Sequence, residues 1–297
     1  MKKIIIFGGY GYIGRHLYDA LKQKYNVKRF RNKLYHKKKI GIVYNLYNFK
    51  KYINKFKPDI IFFLSGNSYP GNSTNDHAYD FERSNKVLQE FLKSLTLIKF
   101  KGQLIFSSSI AVYGLTNSKS KKAVKEDSHL EPLSFYGLSK VIAEKQLEFF
   151  SRKYNINILI LRISSVYGLD LKRQLVYDVI CQIKSKSKKN IVLQGNNKDK
   201  RQMIFIEDVI IIMEKLIKYK YKFKILNLAQ GKKYLVSNIV HYLLEQSFIK
   251  SKVVFKSKTK SIQFPILNNN NLMKEIGNFR FTTLKKGLKK TLNYFNN

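Results

Sequence analysis

Cysteine is all but missing from this sequence. Cys181 stands alone, so no internal disulfide can form, and a chain of 297 residues is long enough to bury a core without one. Long hydrophobic runs are missing as well. No stretch approaches the roughly 18 uninterrupted apolar residues that a membrane-spanning helix needs. The early run Ile4-Ile5-Ile6-Phe7 breaks into glycines too soon, and without a cleavage pattern, for a secretion signal. A cytoplasmic location with no membrane span is the expectation. The five histidines (His16, His36, His77, His129, His241) share no ligand spacing, so no metal is expected.

Negative charge is scarce too. Against 57 basic residues stand 19 acidic ones, a formal charge of +38. Such an excess invites a nucleic-acid partner. The lysines, however, spread over the whole chain among abundant Asn, Ile, Tyr and Phe, as an AT-rich coding sequence produces. We read the charge as a solvated surface hospitable to small anions, with no specific nucleic acid expected.

What is present is a rhythm. Short apolar runs at Lys3–Phe7, Val27–Phe30, Ile40–Tyr44, Ile60–Leu64, Gln103–Ser107 and Ile156–Arg162 alternate with helical patterns at Tyr12–Lys24, Phe49–Phe56, Phe81–Leu97 and Ser134–Lys153. That alternation predicts an α/β fold: a Rossmann-like, doubly wound parallel sheet. After about Ser165 the rhythm loosens, which predicts a smaller mixed α/β C-terminal domain. The expected division is 1–165 for the nucleotide-binding domain and 166–297 for the substrate-binding domain, with segments such as 200–230 returning to the first.

Between the first strand and its helix lies Gly8-Gly9-Tyr10-Gly11-Tyr12-Ile13-Gly14. Glycines at 8, 11 and 14 meet three needs: a tight turn, close backbone approach to a pyrophosphate, and close packing of helix on strand. The helix N-terminus then faces the phosphates with free N–H groups. An NAD-preferring unit places an acid about 20 residues further on. Here the second strand ends Arg29-Phe30-Arg31-Asn32-Lys33, with Arg31 where the acid is expected. A guanidinium suits a 2′-phosphate, so the cofactor is expected to be NADP, with NAD as the alternative.

Tyr136-Gly137-Leu138-Ser139-Lys140 sets a phenol and an ammonium four residues apart, neighbours on one helical face. A nearby ammonium favours the phenolate, which predicts a Tyr136 pKa lowered toward working pH, fit for acid–base work on a hydroxyl or carbonyl. Upstream, the strand from Gln103 ends in Ser107-Ser108-Ser109-Ile110-Ala111-Val112-Tyr113-Gly114. Serines at a strand's C-terminal end lie where open α/β sheets bind ligands, and one of the three could hydrogen-bond the same substrate oxygen.

Glycine loop, serine cluster and YxxxK, in that order, resemble the extended short-chain dehydrogenase/reductases, the nucleotide-sugar epimerase/dehydratase group. The resemblance runs on through Lys57-Pro58-Asp59, Asn85, Leu161-Arg162, Val166-Tyr167-Gly168, Arg201, Phe205–Val209 and Asn227-Leu228-Ala229. It implies Ser109, Tyr136 and Lys140 as the catalytic set, Ser109 being chosen over its neighbours by its offset from the VYG tyrosine. It implies a cofactor site of Gly8, Gly11, Tyr12, Ile13, Gly14, Arg31, Leu64, Ser65 and Gly66 with Tyr136 and Lys140. Substrate contacts are implied for Ser109, Ser165 and Arg201, and a homodimer is common in the group.

The departures narrow the chemistry. Ile110 and Ala111 stand where dehydratases carry an acidic pair, so elimination of water is not expected. Ser165 replaces a frequent asparagine, Leu64-Ser65-Gly66 a frequent Leu-Ala-Ala, and no C-terminal Arg-and-Asp substrate motif is recognisable around Lys256–Gln263. The leading expectation is a ketoreductase acting on a nucleotide-activated 4-keto (deoxy)sugar, with Tyr136 as general acid. A nucleotide-sugar 4-epimerase with retained NAD is the alternative. A non-catalytic RNA-binding or regulatory protein of the same fold comes third.

Overall fold

A computed structural model of the chain describes residues 1–32, 43–44, 46–66, 80–114, 123–185, 190–256 and 265–296; for 31–32, 43–44 and 46–48 it describes the backbone alone. The alternating pattern becomes β1 (Lys3–Phe7), α1 (Tyr12–Leu21), β2 (Asn26–Asn32), β3 (Val43–Tyr44), α2 (Leu46–Phe56), β4 (Ile60–Phe63), α3 (Val87–Leu97), β5 (Gln103–Ser109), α4 (Phe135–Tyr154) and β6 (Asn157–Ile163). Then follow β7 (Ser165–Tyr167), α5 (Gln174–Lys184), β8 (Asn190–Gln194), β9 (Lys200–Arg201), β10 (Met203–Phe205), α6 (Ile206–Leu216) and β11 (Phe223–Leu228). The chain closes with β12 (Tyr234–Leu235), α7 (Val236–Gln246), β13 (Lys252–Lys256), α8 (Asn270–Ile276) and α9 (Leu284–Asn296).

Seven strands form one sheet in the order β3-β2-β1-β4-β5-β6-β11, every neighbouring pair parallel. This is the Rossmann-like doubly wound arrangement, with a seventh strand supplied from late in the chain. Runs such as Ile60–Phe63 are buried at every position because both faces of a parallel sheet are covered. Alternation sorts the side chains to the two faces. Ile4, Ile6, Phe62, Leu159 and Leu161 join Leu17 and Leu21 of α1 and Val209 and Met213 of α6 in one core. Ile5, Phe7, Phe63, Phe106 and Ile160 join Phe49 of α2, Phe91 of α3 and Leu147 of α4 in the other. There Phe7 stacks on Phe63 at 5.0 Å, and Phe91 closes on Phe63 at 4.7 Å.

The first core continues without a break into Val179, Ile239, Leu272 and Leu288 of the C-terminal helices. Three two-stranded sheets, β10–β7, β12–β9 and β13–β8, complete that mixed α/β half. Among the described residues no helix is long and apolar enough to cross a membrane.

One expected helix differs in form. Phe81–Leu97 does not start as a regular α-helix: Phe81–Lys86 is a π-type turn that leads into α3. Wide turns of this kind re-aim side chains. Here Ser84 and Asn85 are buried, and Asn85 Nδ2 donates to Ser139 O on α4 at 2.8 Å.

Candidate active site

The glycine loop crosses from the C-terminal end of β1 to α1. Gly8 takes φ +86°, and the N–H groups of Gly8 and Gly9 donate to Phe30 O at 3.0 and 3.2 Å. Gly14 is required by contact rather than torsion. A Cβ there would stand 2.3 Å from Gly8 O and 2.7 Å from Gly9 Cα, both backbone atoms with nowhere to go. Among the described residues no side chain caps the first turn of α1, which begins at Gly11 as N-cap. The turn therefore has room and polarity for a ligand's phosphates. The loop's Gly8 abuts Leu64 and Ser65, so the segment 64–66 borders the same cleft.

Gly14→Ala is accordingly expected to push α1 off the loop, destabilising the fold by about 1–3 kcal/mol and weakening dinucleotide affinity at least about tenfold. Calorimetric titration with NAD and NADP measures the second effect. An unchanged affinity would remove the loop from the cofactor site.

Arg31 is the penultimate residue of β2, its backbone paired with Val43; its side chain and Lys33 lie outside the described residues. The neighbouring Arg29 is described. Its guanidinium lies 4.4 Å from the Tyr10 ring centre and 4.2 Å from that of Tyr18, a double cation–π contact at the loop's edge.

The serine cluster and YxxxK meet beyond the sheet's C-terminal edge. Ser109 ends β5 and caps a 3₁₀ turn, its Oγ accepting from Ala111 N at 3.2 Å. Ser134 starts α4 by accepting from Gly137 N at 3.0 Å, which sets Tyr136 in the first turn and Lys140 one turn on. Gly137 lets the helix come close: a Cβ there would lie 2.7 Å from Ala111 O. Across this contact the Ser109 side chain faces the Tyr136 hydroxyl closely enough to favour its ionised form. Lys140 is only 4% exposed and donates to Ser107 O at 3.1 Å.

The electrostatics correct one expectation. Withdrawal from water raises the Tyr136 pKa above its ordinary value, and Ser109 only partly opposes this. The expected lowering by Lys140 does not govern, because the ammonium is drawn to the Ser107 carbonyl and stays 5.8 Å from the tyrosine ring centre. Burial brings Lys140 itself down to about 8, while the carboxylates of Glu144 and Asp80 hold it up.

The sequence position of Glu144 does not single it out, although it lies one helical turn beyond Lys140. It is 4% exposed, accepts from Ser108 Oγ at 2.5 Å and is bound at both oxygens by Arg162, at 2.7 Å from Nη2. Arg162 Nη1 donates to Tyr113 Oη (2.7 Å), which donates to Asn227 Oδ1 (2.7 Å). This buried chain ties β5, β6, α4 and β11 together directly behind the serine cluster.

A strap after β7 borders the cleft from the other side. Gly168, Asp170 and Gln174 all have positive φ. Arg15 of α1 binds Asp170 through Nη2, at 2.7 Å to the carboxylate and 2.9 Å to the carbonyl. Arg173 of the strap contributes to the field at both Tyr12 and Tyr136. Nothing in the sequence distinguishes Arg173 from the basic background. Ser165 opens β7, which pairs with β10, and Arg201 ends β9, which pairs with β12; Ser165 N donates to Gln202 O at 3.2 Å, just past Arg201.

Known proteins resemble the chain in sequence and in fold. The profile of the NAD dependent epimerase/dehydratase family matches residues 4–229. The UDP-glucose 4-epimerase of Thermotoga maritima, solved with UDP-glucose, superposes with a TM-score of 0.85 at 22% identity, over 99% of this chain and 98% of that one. The UDP-glucose 4-epimerase of Thermus thermophilus, solved with NAD, gives 0.85 at 18% identity over 99% of each chain. GDP-6-deoxy-D-talose 4-dehydrogenase of Aggregatibacter actinomycetemcomitans is 25% identical over 293 residues, 95% of this chain and 94% of its own length.

Proposed function

The chain belongs to the NAD dependent epimerase/dehydratase family, and from that premise we propose that it inverts a hydroxyl-bearing ring carbon, C4, of a nucleotide-activated sugar. The observation that carries the reading is the pairing of Ser109 with Tyr136 beside buried Lys140, at the same end of the sheet as the glycine loop. NAD, when bound, supplies the hydride acceptor and donor. The residues present fit it: Gly8 and Gly14 leave a cradle that a Cβ would fill, and Asn85 Oδ1 and Ser164 Oγ are buried without a hydrogen-bond partner among the described residues.

Tyr136 Oη exchanges a proton with the sugar oxygen, accepting it in the oxidising direction and giving it back in the reducing one. Ser109 Oγ holds the same oxygen. Lys140, still mostly charged near neutral pH, would hold the ribose of the cofactor when it is bound. Ile110 and Ala111 offer no acid or base for eliminating water, so dehydration is not part of the reading. Ser165 and Arg201 are assigned to the nucleotide end of the substrate. The Arg15–Asp170 contact joins the cofactor helix to the strap.

A second reading, reduction of a 4-keto sugar nucleotide with NADPH, is favoured by two observations. Tyr136 stays protonated, as a general acid must, and β2 ends in arginines rather than a carboxylate. Purified protein is expected to carry NAD and to interconvert UDP-glucose and UDP-galactose, or another C4 pair, with no net change in reduced nicotinamide. Stoichiometric NADPH consumption with a 4-keto sugar nucleotide, by protein free of cofactor, would reverse the order of the two. Phe135, Leu138, Phe149 and Tyr154 of α4 and Leu97 of α3 stay exposed, and a homodimer that covers them belongs to the same proposal.

A further inference from the structure

The sheet has a second end. At the N-terminal ends of β1, β4 and β5, opposite the glycine loop, lies a cavity of about 540 Å³. Its size is that of a small-molecule site. Along β5 alone, from Gln103 at this cavity to Ser109 at the other end, the strand rise puts the two roughly 20 Å apart. Six lysines line it from four separate segments: Lys2, Lys57, Lys99, Lys101, Lys218 and Lys220. The one carboxylate among the described lining residues, Asp59, already accepts from Lys3 N at 2.8 Å.

Lysines often gather where helices end, because the exposed carbonyls carry partial negative charge. Here α2, α3 and α6 all end at the cavity, and Lys2 Nζ does donate to Ile217 O at 2.8 Å. The magnitudes decide the matter. Three helix ends offer about half a negative charge each, and with Asp59 they still leave an excess of roughly three to four positive charges around the cavity.

The backbone sets two of these lysines in place. Lys57 and Lys99, which follow α2 and α3, adopt φ +51° and +50°. Glycine is the ordinary residue at such helix ends, and a side chain there is strained. Two of the six lysines are thus held where glycine would relax the chain. Asn155 and Phe248 stop α4 and α7 in the same way, and among the described residues only at the cavity are two such residues lysines in one lining. Behind the lysines the wall is apolar, formed by Ile53, Ile98, Phe100 and Ile217, and Tyr219 stands at the rim 43% exposed.

We propose that this cavity binds a nucleoside polyphosphate, the phosphates among the lysines and the base against Tyr219, at a site separate from the sugar and dinucleotide cleft. The test is calorimetric titration of the full chain with ATP, the first cleft being filled beforehand with NAD and UDP-glucose. Should those two ligands fail to bind, the proposal above fails separately, and the ATP titration is made without them. Inorganic tripolyphosphate is the second probe.

One ATP per chain is expected, bound more tightly than tripolyphosphate and more weakly as salt rises. The variant Lys57→Gly/Lys99→Gly relieves both strained residues, so its Tm is expected to rise while ATP affinity falls about tenfold or more. A gain in stability with loss of binding separates a ligand role from a structural one. No ATP binding by the natural protein, or an affinity unchanged in the variant, overturns the proposal. Equal affinity for tripolyphosphate overturns its nucleoside part.

Discussion

Tyr136→Phe is expected to lower kcat by about a thousandfold, the loss typical of removing a positioned proton donor and acceptor. The fold should hardly notice. The change deletes one hydroxyl beside Ser109, at a cost of no more than about 1 kcal/mol of stability, and leaves the ring to pack as before. Affinity for NAD and for the nucleotide sugar should stay within a few-fold, because the glycine loop, Ser165 and Arg201 are untouched. The distinguishing pattern is therefore a fall in kcat with KM nearly constant, a loss confined to the transition state. Steady-state kinetics with calorimetric binding on the same preparation reads it. A variant that keeps a tenth of its activity would mean that another group moves the proton.

Glu144→Gln is expected to act on stability and on pH dependence together. Glu144 and Arg162 are both almost fully buried, at 4% and 3% side-chain exposure. Removing one partner of such a pair leaves an uncompensated buried charge and costs about 3–5 kcal/mol. Chemical denaturation measures that loss. Glu144 also holds up the Lys140 pKa, which stands at about 8. Raising the pH through that value discharges the ammonium, so kcat/KM of the natural enzyme should fall on the alkaline side from about pH 8.

Without the Glu144 carboxylate the Lys140 pKa drops further, and the alkaline limb should move toward acid. Glu144→Gln/Arg162→Met removes both charges and restores much of the stability while keeping the shifted limb. An alkaline limb unmoved in the folded double variant would reduce Glu144 to a purely structural part.

Most of the sheet is legible in the chain, because apolar runs such as Ile4–Phe7 and Ile60–Phe63 have no other use than burial on both faces. The turns around the site are legible through glycine, whose placement at 8 and 14 answers to contacts that no other residue survives. Charges are harder to read. Glu144 looks like any helix-surface carboxylate until Arg162 and Ser108 close on it, since burial is a property of the assembled fold.

The sign of the Tyr136 shift escapes the sequence for the same reason. Spacing brings Lys140 near, but only packing shows that water is withdrawn from the phenol and that the ammonium turns to the Ser107 carbonyl. The π-type turn at Phe81–Lys86 leaves no local mark, and of the positive-φ strap only Gly168 does, because Asp170 and Gln174 are ordinary residues in an unusual backbone.

The edge strand β11 has a consequence for how the protein is made. It comes from residues 223–228, whereas its neighbour β6 ends at Ile163. While the chain grows, β6 must wait for that partner with one row of backbone N–H and C=O groups unpaired, the kind of edge that recruits other chains. At ordinary rates of synthesis the wait lasts on the order of several seconds. Chains released before β11 is made should aggregate, and the speed of translation through the segment joining the two strands governs how much protein reaches its folded form.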